Sequence, residues 1–103
     1  MENPINIELG EVIAERQFSY IEANKEHILT IKIGKPRTDS KPNGDWECPI
    51  EINGKVKLAY GIDSYQALML AQQLITADLK YLMAQKKNPL KWLGMDDLGL
   101  TFH

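Results

Sequence analysis

Apolar and polar side chains alternate with period two from Val12 to Glu22, which predicts a strand with one buried face. Val12, Ala14, Phe18 and Tyr20 share that face, and Arg16 interrupts it. A second alternation over residues 27–33 places Leu29, Ile31 and Ile33 together. Ala23-Asn24-Lys25-Glu26 lies between the two runs, and Asn tolerates the left-handed backbone of a turn. Opposing Glu22 to His27 sets Tyr20 against Leu29 and Phe18 against Ile31, a favourable aromatic-aliphatic pattern.

Residues 46–52 and 56–62 read as a second hairpin. Asn53-Gly54 suggests a two-residue type I′ turn. That turn opposes Ile50 to Lys57 and Glu51 to Val56. A loop one residue longer opposes Ile52 to Val56, Ile50 to Leu58, Cys48 to Tyr60 and Trp46 to Ile62, which groups the apolar side chains. A one-residue slip exchanges the faces of a strand, so the pattern favours the odd-length loop.

The period changes at Asp63. Asp63-Ser64-Tyr65-Gln66 has capping-box spacing, with Asp63 as the N-cap and Gln66 reaching back. Good helix formers follow to about Lys87, where Asn88-Pro89 ends the run. Ala67, Leu70, Ala71, Leu74, Ile75, Leu79 and Leu82 form a wide apolar arc. A helix of about 22 residues within 64–87 measures roughly 33 Å and can cross a four-stranded sheet diagonally. The tail 90–103 holds Trp92, Leu93, Leu98, Leu100 and Phe102, so it is expected to pack. Ile5, Ile7 and Leu9 alternate and suggest a further short strand.

These elements give an α+β fold in a single domain, 1–103: an antiparallel meander of about four strands with one long helix on one face. The length of 103 residues suits one modest core. No apolar run approaches the ~18 residues of a membrane span. Net charge is −2, so a basic nucleic-acid footprint is not expected. The N-terminus has neither a basic n-region nor an apolar h-region, which points to the cytoplasm.

Candidate chemistry is sparse. Cys48 is the one cysteine, and the inferred strand turns it inward, where a thiol behaves as a small hydrophobe. His27 is expected at a turn, pointing outward, so a Cys-His dyad is not expected. The two histidines, His27 and His103, and the lack of HExxH or CxxC leave no expected metal or cofactor site. The acids Asp96 and Asp97 read as tail solubilisers. The capping role accounts for Asp63. The segment 34–45 has two prolines and two glycines, and otherwise polar side chains, so it reads as a long surface loop. Within it Lys35, Arg37 and Lys41 could hold an anion, with Asp39 and Asp45 offsetting them. A second candidate is the sheet face away from the helix, expected to carry Ile13, Glu15, Gln17, Ser19, Ile21, Ile28, Thr30, Lys32, Glu47, Pro49, Glu51, Lys57 and Ala59. Ile13, Ile21 and Ile28 give it an apolar component suited to a partner or a second copy.

Trp46-x-Cys48-Pro49, Gly61-x-Asp63-x-x-Gln66-Ala67-Leu68 and Trp92-Leu93-Gly94 together resemble a small bacterial family of uncharacterised domains. Lys35-Pro36-Arg37 is similar too. The resemblance spans residues 11–94 and implies a β-meander, a helix start at the Gly-x-Asp motif and a short tail, with no catalytic residue to carry over. In size, acidity and lack of catalytic motifs the chain also resembles immunity proteins that neutralise bacterial toxins. The expectation is therefore a non-enzymatic interaction module, monomeric or homodimeric, that binds a protein such as a toxin. The alternatives are a ligand-binding or enzymatic domain built on 34–45, or a self-associating structural protein.

Overall fold

The computed structural model describes residues 7–38, 45–85 and 90–94. Strands β1 (Val12–Glu22), β2 (Lys25–Gly34), β3 (Arg37–Thr38), β4 (Trp46–Ile52) and β5 (Lys55–Gly61) form one antiparallel sheet, and α1 (Ser64–Gln85) lies on one face. The fold is α+β with five strands. The additional strand, β3, comes from within the segment expected to be all loop. It continues the line of β2 past Lys35-Pro36, so β2 and β3 share one edge of β4 while β5 takes the other. Residues 7–10 form no strand, and Ile5 lies outside the described residues.

Both hairpins turn in two residues. Ala23 (φ 53°) and Asn24 (φ 61°) make the first turn. Lys25 and Glu26 therefore join β2, with Glu22 opposite Lys25, Tyr20 opposite His27 and Phe18 opposite Leu29. The expected pairing of Glu22 with His27 is corrected by two positions. A shift of two keeps every side chain on its face, which is why the facial pattern could not detect it.

Asn53 (φ 50°) and Gly54 (φ 88°) make the second turn. Both central residues have positive φ, as a type I′ turn requires. The expected odd-length loop is wrong: Ile52 opposes Lys55, Ile50 opposes Lys57 and Cys48 opposes Ala59. Trp46 opposes Gly61, and Ile62 lies beyond the strand. The correction moves Lys57 and Ala59 from the outer face to the helix face and turns Val56, Leu58 and Tyr60 outward. Lys57 is tolerated there because its ammonium reaches Asp78 of α1, with Nζ 2.7 Å from Oδ2. A long aliphatic stem can cover apolar surface while its head finds a charge at the margin. The apolar count misled because it treated a snorkelling lysine as impossible on the packed face.

The core lies between the sheet and α1. Phe18, Leu29, Ile31, Cys48, Ile50, Ile52 and Ala59 meet Ala67, Ala71, Ile75 and Leu79, with Leu90 closing one end. The helix packs chiefly on β4 and β5. Its buried stripe is Ala67, Ala71, Ile75 and Leu79, spaced by four, with Leu68, Leu74, Leu82 and Met83 beside it. Leu70, expected in the arc, is exposed. The helix is described to Gln85, and residues 86–89 lie outside the described residues.

The tail accounts for Arg16, the charge that interrupts the inner face of β1. The Arg16 guanidinium sits 3.9 Å from the centroid of the Trp92 ring. A cation over an indole face is attracted by the ring quadrupole. Lys91 exchanges two backbone hydrogen bonds with Ser19, which holds residues 90–92 along the outer edge of β1. Leu93 is exposed, and Leu98, Leu100 and Phe102 lie outside the described residues.

Candidate functional site

Residues 61–67 show how closely local chemistry can specify structure. Gly61 packs against the start of α1, where a Cβ would collide with the backbone of Gln66 and Ala67. The Asp63 carboxylate accepts from the Gln66 amide at 2.7 Å. The Gln66 side chain reaches back to the Ile62 amide at 2.8 Å, one residue earlier than a standard capping box. Ala67 is fully buried. Gly61, Asp63, Gln66 and Ala67 thus each have a packing or capping role.

Cys48 is buried on the helix face, and its thiol donates to the Gly34 carbonyl at 3.4 Å. Burial pushes the thiol pKa up, and the Arg37 charge opposes that shift. His27 is not in the turn. It sits within β2 opposite Tyr20, and the two rings stack with centroids 5.2 Å apart. Gly34, the neighbour of the Cys48 thiol, lies seven positions further along β2. The strand geometry therefore separates thiol and imidazole by roughly 20 Å. Among the described residues no group of three His, Cys, Asp or Glu side chains is arranged to hold a metal ion.

Within the described part of the charged segment, Arg37 is held across the sheet by a carboxylate. Arg37 directly opposes Glu47, and its Nε donates to Glu47 Oε2 at 2.7 Å. Gly10 lies against the same guanidinium, and the Lys35 amide donates to the Glu11 carbonyl at 2.7 Å. Residues 9–11 therefore pass over this corner of the sheet, where Gly34 makes room for the Leu9 carbonyl beside Pro49. Lys35 is exposed and Asp45 half-buried. Asp39 and Lys41 lie outside the described residues. Of the five candidate loop residues, the structure brings Arg37 and Lys35 to one corner, with Arg37 already engaged by a carboxylate.

The outer sheet face combines apolar and acidic character. Ile21 and Ile28 are 47% and 51% exposed on it, whereas Ile13, expected beside them and 47% exposed, falls at the irregularity between Val12 and Ala14, where the pairing slips by one residue. Ser19 opposes Ile28 and Ile21 opposes Glu26, so Ile21 and Ile28 are diagonal neighbours. Glu15, Glu26, Glu47 and Glu51 share this face with Lys32 and Arg37. Lys32 lies 3.6 Å from Glu51, and Arg37 holds Glu47. Two of the four acids are thus matched by the two bases. Val56, Leu58 and Tyr60 were missed as members of this face. Asn53-Gly54 was the signal that would have found them, since it sets the register of β5.

A family model described as a domain of unknown function (DUF6968) matches residues 14–102. No curated protein and no solved structure matches the chain.

Proposed function

The chain belongs to the DUF6968 domain family, and we propose that it works as a non-enzymatic protein-interaction module. The observation that carries this reading is the outer face of the β1-β2 hairpin, where half-exposed Ile21 and Ile28 are diagonal neighbours among surplus acids. Exposed apolar patches rimmed by polar groups commonly mark interaction sites. The partner that fits is a protein with an apolar contact surface and a basic rim, because complementary charge speeds encounter and excludes wrong partners. The finer form of the proposal is an immunity role, in which the partner is a basic bacterial toxin such as a nuclease. The Arg37-Glu47 bond favours this reading over an anion-binding role for residues 34–45, since an anion there must compete with an existing carboxylate.

The test is co-expression with the product of the adjacent gene and affinity capture of the full chain. Capture is expected for the native chain and should fall at least tenfold for Ile28→Glu, with unchanged thermal unfolding. No capture of any neighbouring product would count against the immunity role. Capture undiminished by both Ile28→Glu and Ile21→Glu would show that the partner binds elsewhere.

A further inference from the structure

We infer that residues 7–10 are a hinged strap that closes an apolar patch, Pro49 with Leu58, on the outer face of the sheet, and that the strap lifts without unfolding the domain. This inference does not rest on the proposed partner. Gly34, beneath the strap, lies six positions along β2 from Ile28, a distance of roughly 20 Å.

The alternation of Ile7 and Leu9 is used here without a strand. Both are half-buried, while Glu8 and Gly10 are exposed. The segment thus lays one side on the protein and turns Glu8 to water. Gly34 fixes where it lies. It belongs to the outer side of β2, because Leu29 and Ile31 are buried on the inner side. A Cβ at Gly34 would collide with the Leu9 carbonyl oxygen and stand 2.7 Å from Pro49 Cγ. Leu9 and Pro49 therefore meet at one point of the outer face. Cys48 and Ile50 join the core beneath α1, so Pro49 between them points away from it. Pro49 is nevertheless among the most fully buried side chains. Burial on that side requires chain laid over the sheet, and the Leu9 carbonyl lies at that point. Leu58, half-buried, directly opposes Pro49 and extends the patch across the strands.

The attachment of the segment is what makes it a strap. The bond from the Lys35 amide to the Glu11 carbonyl, 2.7 Å, ties the start of β1 to β2. Among the described residues, residues 7–10 make no backbone hydrogen bond to the sheet. The chain leaves the line of β1 at Gly10, whose φ of 73° is left-handed backbone that glycine adopts freely. The Arg37 guanidinium, held by Glu47, bounds this hinge on one side. A segment held by apolar contact rather than by a hydrogen-bond ladder is of the kind that opens locally while the rest stays folded. Lifting it uncovers Pro49 and Leu58, and closing it replaces them at the surface by the exposed Glu8.

Full-length variants probed with the neutral apolar dye Nile red test this. Gly34→Ala places a methyl group against the Leu9 carbonyl, and Leu9→Asp charges the underside of the strap. Each should raise dye fluorescence by about threefold or more while urea unfolding stays cooperative. Cleavage after Glu8 by a glutamate-specific protease should be about tenfold faster in Gly34→Ala, because cleavage follows the open population. Glu8→Gln, on the exposed side, should leave the dye signal unchanged. Leu58→Glu added to Leu9→Asp should return the signal to the native level. An unchanged signal in both strap variants, an equal rise in Glu8→Gln, a rise that Leu58→Glu does not remove, or unchanged cleavage would overturn the inference. So would loss of cooperative unfolding in both Gly34→Ala and Leu9→Asp, because residues 7–10 would then belong to the core.

Discussion

Asp63 and Cys48 carry side chains that also serve catalysis in other proteins, and here each is held in a packing role. Asp63→Ala removes the acceptor for the Gln66 amide and a negative charge at the helix N-terminus. A loss of about 0.5–2 kcal/mol is expected in urea denaturation, while Asp63→Asn should retain most of the stability. Partner capture should survive both changes. If Asp63→Asn folds normally yet abolishes capture, Asp63 belongs to a binding site. Cys48 has its pKa raised by burial, so the folded chain favours the neutral thiol. The resulting stabilisation is complete below the unfolded thiol's pKa of roughly 8.5 and declines as pH rises through the folded value. Stability compared at pH 7 and pH 10 should therefore fall further for the native chain than for Cys48→Ala. An equal fall in both would refute the neutral-thiol role. The Lys57-Asp78 pair is half-exposed, and Lys57→Met should cost less than about 1 kcal/mol, because exposed pairs contribute little.

At the scale of elements, the two turns make opposite predictions. Gly54 sits at φ 88°, where an L side chain is strained. Gly54→Ala should destabilise by about 1–2 kcal/mol, the usual penalty for a left-handed residue. Ala23 already stands in the left-handed region at φ 53°. Ala23→Asn places a residue that tolerates this backbone and should stabilise by about 0.5–1 kcal/mol. A thermal shift in the wrong direction for either variant would contradict the type I′ geometry. The turns also explain which parts of the hairpins were legible from the chain. Alternation located β1, β2, β4 and β5 to within about two residues, because half-buried strands must alternate. It could not choose the registers, because a two-residue shift preserves faces and Lys57 violated the apolar count.

Across the whole molecule, the helix covers only part of the sheet, and Leu90 and Trp92 complete the cover over β1. Leu90 is 1% exposed. Leu90→Ala should cost about 2–5 kcal/mol, as for other buried leucines. Urea denaturation showing less than 1 kcal/mol would mean that the tail contributes little to the core. This arrangement leaves the outer hairpin face, with half-exposed Ile21 and Ile28 among acids, uncovered by the helix. No helix among the described residues is long and apolar enough to cross a membrane.

Local signals in the chain were sufficient for the strand positions, the helix start at Asp63 and the inward placement of Cys48. Each depends on neighbours within a few residues: alternation, capping chemistry, or the share of apolar side chains on one face. Only the tertiary structure decided that Lys57 faces the helix, that Arg16 lies over Trp92, and that Arg37 is held by Glu47. These contacts join residues 21, 76 and 10 positions apart. Their chemistry is ordinary, but no periodicity encodes it, because a charged side chain on a packed face is stabilised only by the distant group that meets it.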